Sequence, residues 1–274
     1  MDHKKQPTHK PIKSASKPLI LITNDDGIYA PGIKHLWQVL NQFADCYVVA
    51  PSLEQSAVSL SITIRQPLLI EKVEWVGLHA KTWSVNGTPA DCVKLALHSI
   101  LPERPTLVVS GINRGSNAGR NVLYSGTVAG AIEGVMHDIP GIAFSALDLV
   151  SPSCSAVAQP ITTIIDYVLA HSLPQGTLLN VNFPKDTEKG IKGLRLAKQG
   201  CQYWQENIER RYHPAEHTSY YWLGAQLAAY EEEKDSDVSY LEEGYATVVP
   251  IKIIDLTNQS YLKNHAHAFT NISK

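Results

Sequence analysis

Apolar residues are distributed along this chain in two rhythms. Short apolar runs stand at residues 19–22, 46–50, 106–110, 142–145 and 177–182 and read as buried strands. Between them apolar residues recur at helical spacing: Ile33, Leu36, Trp37 and Leu40 in one segment, Val93, Ala96, Leu97 and Ile100 in another, then residues 128–136 and 156–171. Strands and helices alternate through short connections, which predicts βαβ winding and a mostly parallel sheet flanked by helices. Pro31 falls in the first turn of the first helix, and Thr88 followed by Pro89 makes an N-cap with proline at the first helical position.

Two stretches break the rhythm. Residues 61–70 and 73–85 alternate apolar and polar positions around Pro67 and Gly77, the pattern of an inserted antiparallel hairpin. Beyond Pro184 the pattern is irregular, with Tyr203-Trp204, Tyr220-Tyr221-Trp222 and an acidic run at residues 231–233 before a last strand at 246–253. The clustered aromatic residues favour a subunit contact. The chain is therefore expected to divide into a tail (1–17), a core (18–190) and an extension (191–274).

Ligands in open α/β sheets bind beyond the carboxyl ends of the strands, so the residues that follow each run carry the chemistry. After residues 19–22 come Asn24-Asp25-Asp26-Gly27. An adjacent carboxylate pair there is either a metal or phosphate-handling site or a turn that caps the next helix. After the second run lies a polar loop containing Ser52, Ser56, Ser59 and Ser61. The run at 106–110 opens into Gly111-Ile112-Asn113-Arg114-Gly115-Ser116-Asn117-Ala118-Gly119, whose glycines let backbone amides approach a ligand. Asn113 falls beside Asp25 and Asp26 if the two strands are neighbours; taken alone it is a turn residue. Ser125-Gly126-Thr127 opens the helix at 128–136, where hydroxyls, unpaired amides and the helix dipole suit either a phosphate or an ordinary cap.

Composition narrows the class. The chain has 274 residues, 44% of them hydrophobic, enough for one substantial core. A net charge of −2 gives no general attraction to nucleic-acid phosphates. Cys46, Cys92, Cys154 and Cys201 show no CxxC spacing, which fits reduced thiols in a cytoplasmic protein. Residues 1–17 carry Lys4, Lys5, Lys10, Lys13 and Lys17 without an apolar stretch of the kind a secretory signal needs, and read as a disordered basic tail. No apolar window reaches the roughly 18 residues of a membrane span. A soluble cytoplasmic protein is expected, with neither polymeric nucleic acid nor membrane as a partner.

Several separated motifs resemble the SurE survival-protein nucleotidases. They are Asn24-Asp25-Asp26-Gly27 with Ala30-Pro31-Gly32, Val49-Ala50-Pro51 with Ser56, Gly87-Thr88-Pro89-Ala90-Asp91, Ser110-Gly111-Ile112-Asn113, Tyr124-Ser125-Gly126-Thr127, Asn180-Val181-Asn182-Phe183-Pro184, and Gly244-Tyr245 followed by Pro250 and Asp255-Leu256-Thr257. The resemblance implies a Rossmann-like core and a metal-dependent phosphatase acting on nucleoside 5′- or 3′-monophosphates, with short polyphosphate as a further substrate in some members. It assigns metal ligation to Asp25, Asp26, Ser56 and Asn113. It also implies a homodimer or homotetramer built through an exchanged carboxyl-terminal extension. Ala57 stands where the family usually has glycine, and Arg114 and Ser116 replace a small residue and a proline.

On this reading Asp25, Asp26 and Asn113 form the catalytic set, with Ser125, Gly126 and Thr127 binding phosphate. Oxygen ligands favour one Mg²⁺ or Mn²⁺ per subunit. Both aspartates are needed as ligands and lack the one-residue gap of the haloacid-dehalogenase-type phosphatases, so water is the expected nucleophile. The alternatives are a non-catalytic Mg²⁺-binding domain of receiver type, which needs an aspartate after a later central strand, and a nucleotide-binding module using the glycine-rich loop alone.

Overall fold

The computed structural model describes residues 17–147, 155–185, 190–224, 226–228 and 230–270. Cys154 and, apart from Lys17, the basic tail lie outside the described residues. Strand β1 (Leu19–Thr23) is buried throughout. Helix α1 (Pro31–Leu40) buries Ile33, Leu36, Trp37 and Leu40, as their spacing requires. Next come β2 (Asp45–Pro51), β3 (Ile70–Val73), β4 (Lys81–Val85) and α2 (Pro89–Leu95). In α2 the Thr88 hydroxyl accepts from the Asp91 amide at 3.2 Å while the Asp91 carboxylate accepts from the Thr88 amide at 2.9 Å, a reciprocal cap. The winding continues through β5 (Leu107–Arg114), α3 (Gly126–Met136), β6 (Gly141–Ala146), α4 (Ser155–Ala170) and β7 (Thr177–Phe183). The remainder comprises β8 (Leu194–Leu196), β9 (Trp204–Gln205), β10 (Glu209–His213), β11 (Thr218–Trp222), β12 (Gln226–Leu227), α5 (Asp237–Glu242), β13 (Ala246–Lys252) and α6 (Gln259–Thr270).

Nine of these strands form one mostly parallel sheet in the order β3-β4-β2-β1-β5-β6-β7-β13-β8. From β1 the chain winds first toward β2 and β4, then returns to lay β5 on the other side. That reversal opens a crevice at the carboxyl ends of β1 and β5. Helices cover both faces. Ile20 and Ile22 pack with Ile33 and Leu36 of α1 and Ile161 of α4, while Leu21 packs with Cys92 and Val93 of α2. Burial pushes the Cys46 thiol up to about 12 and raises that of Cys92, so both are inert packing groups.

Three expectations change. Residues 61–69 form no strand, because their backbone is tied to the α2 cap instead: the Thr63 amide donates to Asp91 at 3.0 Å and the Thr88 hydroxyl to the Ser61 carbonyl at 2.7 Å. The hairpin is the shorter pair β3–β4, and β4 joins β2 in parallel, so it extends the sheet rather than standing apart. Strand β5 runs on past Ser110 to Arg114, with a register shift between Ser110 and Asn113. Asn113 is thus a strand residue. Finally, the segment after residue 191 contributes to the sheet, since β13 pairs antiparallel with β7 and parallel with β8.

Close approach of the helices depends on missing side chains. Along α3, Cβ atoms added at Gly126, Gly130 and Gly134 would lie 2.9, 2.7 and 2.7 Å from Asp25, Thr23 and Val108. Gly32 of α1 similarly faces the Ile112 carbonyl, and an added Cβ would overlap that oxygen. Gly32→Ala is expected to cost about 1–3 kcal/mol through overpacking, read as a lower midpoint of thermal unfolding. An unchanged midpoint would mean that α1 does not seat on β5 this closely.

Candidate active site

The acidic loop is fixed before any ligand arrives. Asn24 Nδ2 donates to the Gly27 carbonyl at 3.0 Å, and Gly27 takes a φ of +97°, which closes the turn after β1. The Gln55 amide donates to the Asp25 carbonyl at 2.7 Å, tying the loop after β2 to the loop after β1. Thr23 lies in register with Ser110, so the end of β5 comes alongside. The Arg114 amide then donates to Asp26 Oδ2 at 3.0 Å. From above, α3 brings the Thr127 hydroxyl to Asp25 Oδ1 at 2.5 Å.

These ties gather Asp25, Asp26, Ser56 and Asn113 around one cleft of about 330 Å³, which Ser125 also lines. Asn113 Nδ2 donates to the Gly115 carbonyl at 2.8 Å, leaving its Oδ1 as the end suited to a cation. The phosphate candidates divide. The Ser125 hydroxyl caps α3 by accepting from the Val128 amide at 3.1 Å and keeps its proton for a ligand. The Thr127 hydroxyl is engaged by Asp25, and Gly126 presses against that carboxylate. The reading from sequence missed Glu54, Tyr124 and Trp204, which also line the cleft. Glu54 stands two residues before Ser56, and its carboxylate accepts from the Ser56 hydroxyl at 2.6 Å. Trp204 belongs to the aromatic stretch that was assigned to subunit contact.

Asp25 is 6% exposed, and burial pushes its carboxyl up to about 6; the Thr127 hydrogen bond opposes this and the neighbouring Asp26 adds to it. Asp26 is raised as well, mainly by burial, with the Arg114 amide working against it. Among the described residues no Lys, Arg or His forms an ion pair with either aspartate. A buried carboxylate beside a second one is costly unless it is paired, protonated or coordinated to a metal ion. No group of three or more His, Cys, Asp or Glu residues able to hold a metal occurs among the described residues. A donor set for a metal here would have to draw on the Ser56 hydroxyl and the Asn113 amide oxygen as well as the two carboxylates, and such an all-oxygen set would fit a hard divalent cation.

The buried Asp25 carboxyl costs stability in its charged form. With a folded value of about 6 against 3.8 for the ordinary group, the cost is fully present above about pH 6 and fades as pH falls toward 4. Asp25→Asn is expected to stabilise the protein in EDTA at pH 7.5 by up to about 3 kcal/mol, a gain that disappears near pH 4. Urea unfolding at the two pH values measures it; equal stability of the variant and wild type at pH 7.5 would contradict the burial argument.

Comparison with known proteins gives a consistent answer. The sequence model of the family described as "Survival protein SurE" matches residues 20–206. A protein of Protochlamydia amoebophila named 5′-nucleotidase SurE is 60% identical over 93% of this chain and 98% of its own length. One of that name from Heliobacterium modesticaldum is 42% identical, covering 89% of each. Among solved structures, the SurE protein from Aquifex aeolicus superposes with a TM-score of 0.79 at 36% identity, over 92% of this chain and all of that one.

Proposed function

Because the chain belongs to the SurE family, we propose that it is a metal-dependent phosphomonoesterase that hydrolyses nucleoside 5′- and 3′-monophosphates to nucleoside and inorganic phosphate, and that it also trims short polyphosphate. It is a hydrolase, and its relatives are named 5′-nucleotidases. The observation that carries the reading is the convergence of Asp25, Asp26, Ser56 and Asn113, drawn from three strand ends, on one cleft beside the α3 N-terminus.

In this mechanism those four side chains would hold the cation. A divalent ion such as Mg²⁺ or Mn²⁺, when bound, supplies Lewis-acid polarisation of a phosphoryl oxygen. Thr127 keeps Asp25 oriented through its hydroxyl, and the Arg114 amide does the same for Asp26. The Ser125 hydroxyl and the dipole of α3 receive the remaining phosphate oxygens. Water is the nucleophile, because both aspartates are committed to binding and orientation. A receiver-type signalling domain would need a carboxylate where β5 ends, and Asn113 stands there.

The same reading extends to assembly and location. The β10–β11 hairpin exposes Tyr220, Tyr221 and Trp222, and α6 exposes Leu262 and Phe269, which supports a homodimer or homotetramer formed through the extension. Among the described residues no helix is long and apolar enough to cross a membrane, in keeping with a cytoplasmic role.

Phosphate release from 5′-AMP and 3′-AMP, assayed with Mn²⁺, with Mg²⁺ and with EDTA, tests the activity. Turnover is expected only with a divalent ion. In the ion-loaded enzyme Asp25→Asn and Asn113→Ala should each lower kcat/KM by about a hundredfold or more, the scale of several kcal/mol of transition-state stabilisation. Activity that persists in EDTA, or in both variants, would refute the assignment.

A further inference from the structure

Arg114 replaces the small residue of the SurE motif, and the roles set out above leave its side chain unused. Among the described residues that line the cleft it is the one cation, beside the carboxylates of Asp25, Asp26 and Glu54. Its backbone is fixed. The amide donates to Asp26 Oδ2 at 3.0 Å, and the residue lies in register with Ala146 of β6. Its side chain is not held in this way: the residue is exposed, and among the described residues its guanidinium makes no hydrogen bond or ion pair. Burial raises the Asp26 carboxyl, and the guanidinium charge works against that shift, so the charge acts at the acidic pair. Five N–H donors in a planar fork, at the mouth of an anionic cleft, are free for a ligand.

We propose that Arg114 is a further catalytic residue, whose guanidinium grips the phosphoryl group of the substrate; the proposal rests on the phosphomonoesterase reading. The electrostatics call for such a group. Asp25, Asp26 and Glu54 carry three negative charges when ionised, so a divalent cation alone leaves the cleft negative toward an incoming phosphate dianion. Arg114 brings the loaded cleft to neutrality. Helix α3 meets the acidic pair at Asp25 through Thr127, whereas Arg114 meets it at Asp26, so the guanidinium and the helix N-terminus reach the phosphoryl group from different sides. The planar fork matches two phosphoryl oxygens at once, which the point charge of a lysine does not. In the transition state it offsets the charge gathered on those oxygens as the ester bond opens.

The test compares wild type with Arg114→Ala, Arg114→Gln and Arg114→Lys in three measurements. These are kcat/KM for AMP with Mn²⁺, the dissociation constant of inorganic phosphate for the Mn²⁺-loaded protein by calorimetry, and the dissociation constant of Mn²⁺ from the electron paramagnetic resonance of the free ion. Loss of a hydrogen bond to a charged group corresponds to roughly ten- to a hundredfold. In Arg114→Ala and Arg114→Gln, kcat/KM and phosphate affinity should both fall by that factor, and Arg114→Lys should recover part of each. Mn²⁺ should bind as tightly as in wild type or more tightly, because a like charge has gone from beside Asp26; that sign separates a phosphate contact from support of the cation site. Unchanged kcat/KM and phosphate affinity in Arg114→Ala overturn the proposal, as does a loss of Mn²⁺ affinity large enough to account for the fall. A wild type that releases no phosphate from AMP defeats the phosphomonoesterase reading; the Arg114 contact is then upheld by weaker phosphate binding in Arg114→Ala and refuted by unchanged binding.

Discussion

The seating of α3 on the strands at the switch point is the constraint from which the site follows. Three glycines one turn apart, Gly126, Gly130 and Gly134, remove the side chains that would hold the helix off Asp25, Thr23 and Val108. The helix consequently ends with its positive pole and the Thr127 hydroxyl against a buried carboxylate. A helix held even one methyl group farther away would leave Asp25 without that donor. The same principle governs α1, where Gly32 meets the Ile112 carbonyl one residue before Asn113. Helix α1 is thus registered to the sheet by backbone against backbone, whereas α3 lays its own backbone directly on strand side chains, and in both cases close packing leaves little room for the helix to shift.

Registration at this cost serves a site that is unfavourable on its own. Asp25 is buried beside Asp26 with only hydrogen bonds to offset the loss of water, and its raised carboxyl value records that penalty. The hydrogen bonds from Thr127 and Arg114 orient the carboxylates but do not neutralise them. A site of this kind is destabilising when empty and cooperative when filled, since a cation that binds only the folded state returns the stability that burial removed. Burial of a charge at Asp25 therefore works against stability, as is common where proteins bury charge in a cleft.

Much of this was legible in the sequence, and the reasons are local. The strand runs and the helix at residues 31–40 follow from periodicity, and the α2 cap follows from Thr88-Pro89. The position of the acidic pair at the end of β1 followed from βαβ winding, whereas Ser56 and Asn113 beside it were singled out by the resemblance to the SurE motifs. What was not legible depends on long-range pairing. Residues 61–69 alternate like a strand, yet Asp91 and Thr88 take their backbone groups, and no local pattern announces that competition. The continuation of β5 beyond Ser110 depends on β6 lying beside it, with Asn113 opposite Ser145. Trp204 reaches the cleft because of where the β9–β12 ribbon folds back, which composition does not encode.

That fold-back has a consequence for how the chain divides. Asp237, buried on α5, accepts from the Gly119 amide at 3.0 Å and the Gly200 amide at 2.8 Å. Glu232 accepts from the Gln202 amide at 2.7 Å, and the Gln202 carbonyl takes the Arg120 amide at 2.8 Å. These bonds clamp residues 199–204 to the turn at 119–123 that borders the cleft. The cleft therefore takes residues from both sides of the boundary near residue 190, with Asp25, Asp26 and Asn113 from one side and Trp204 from the other, although that boundary marks a change of sequence rhythm.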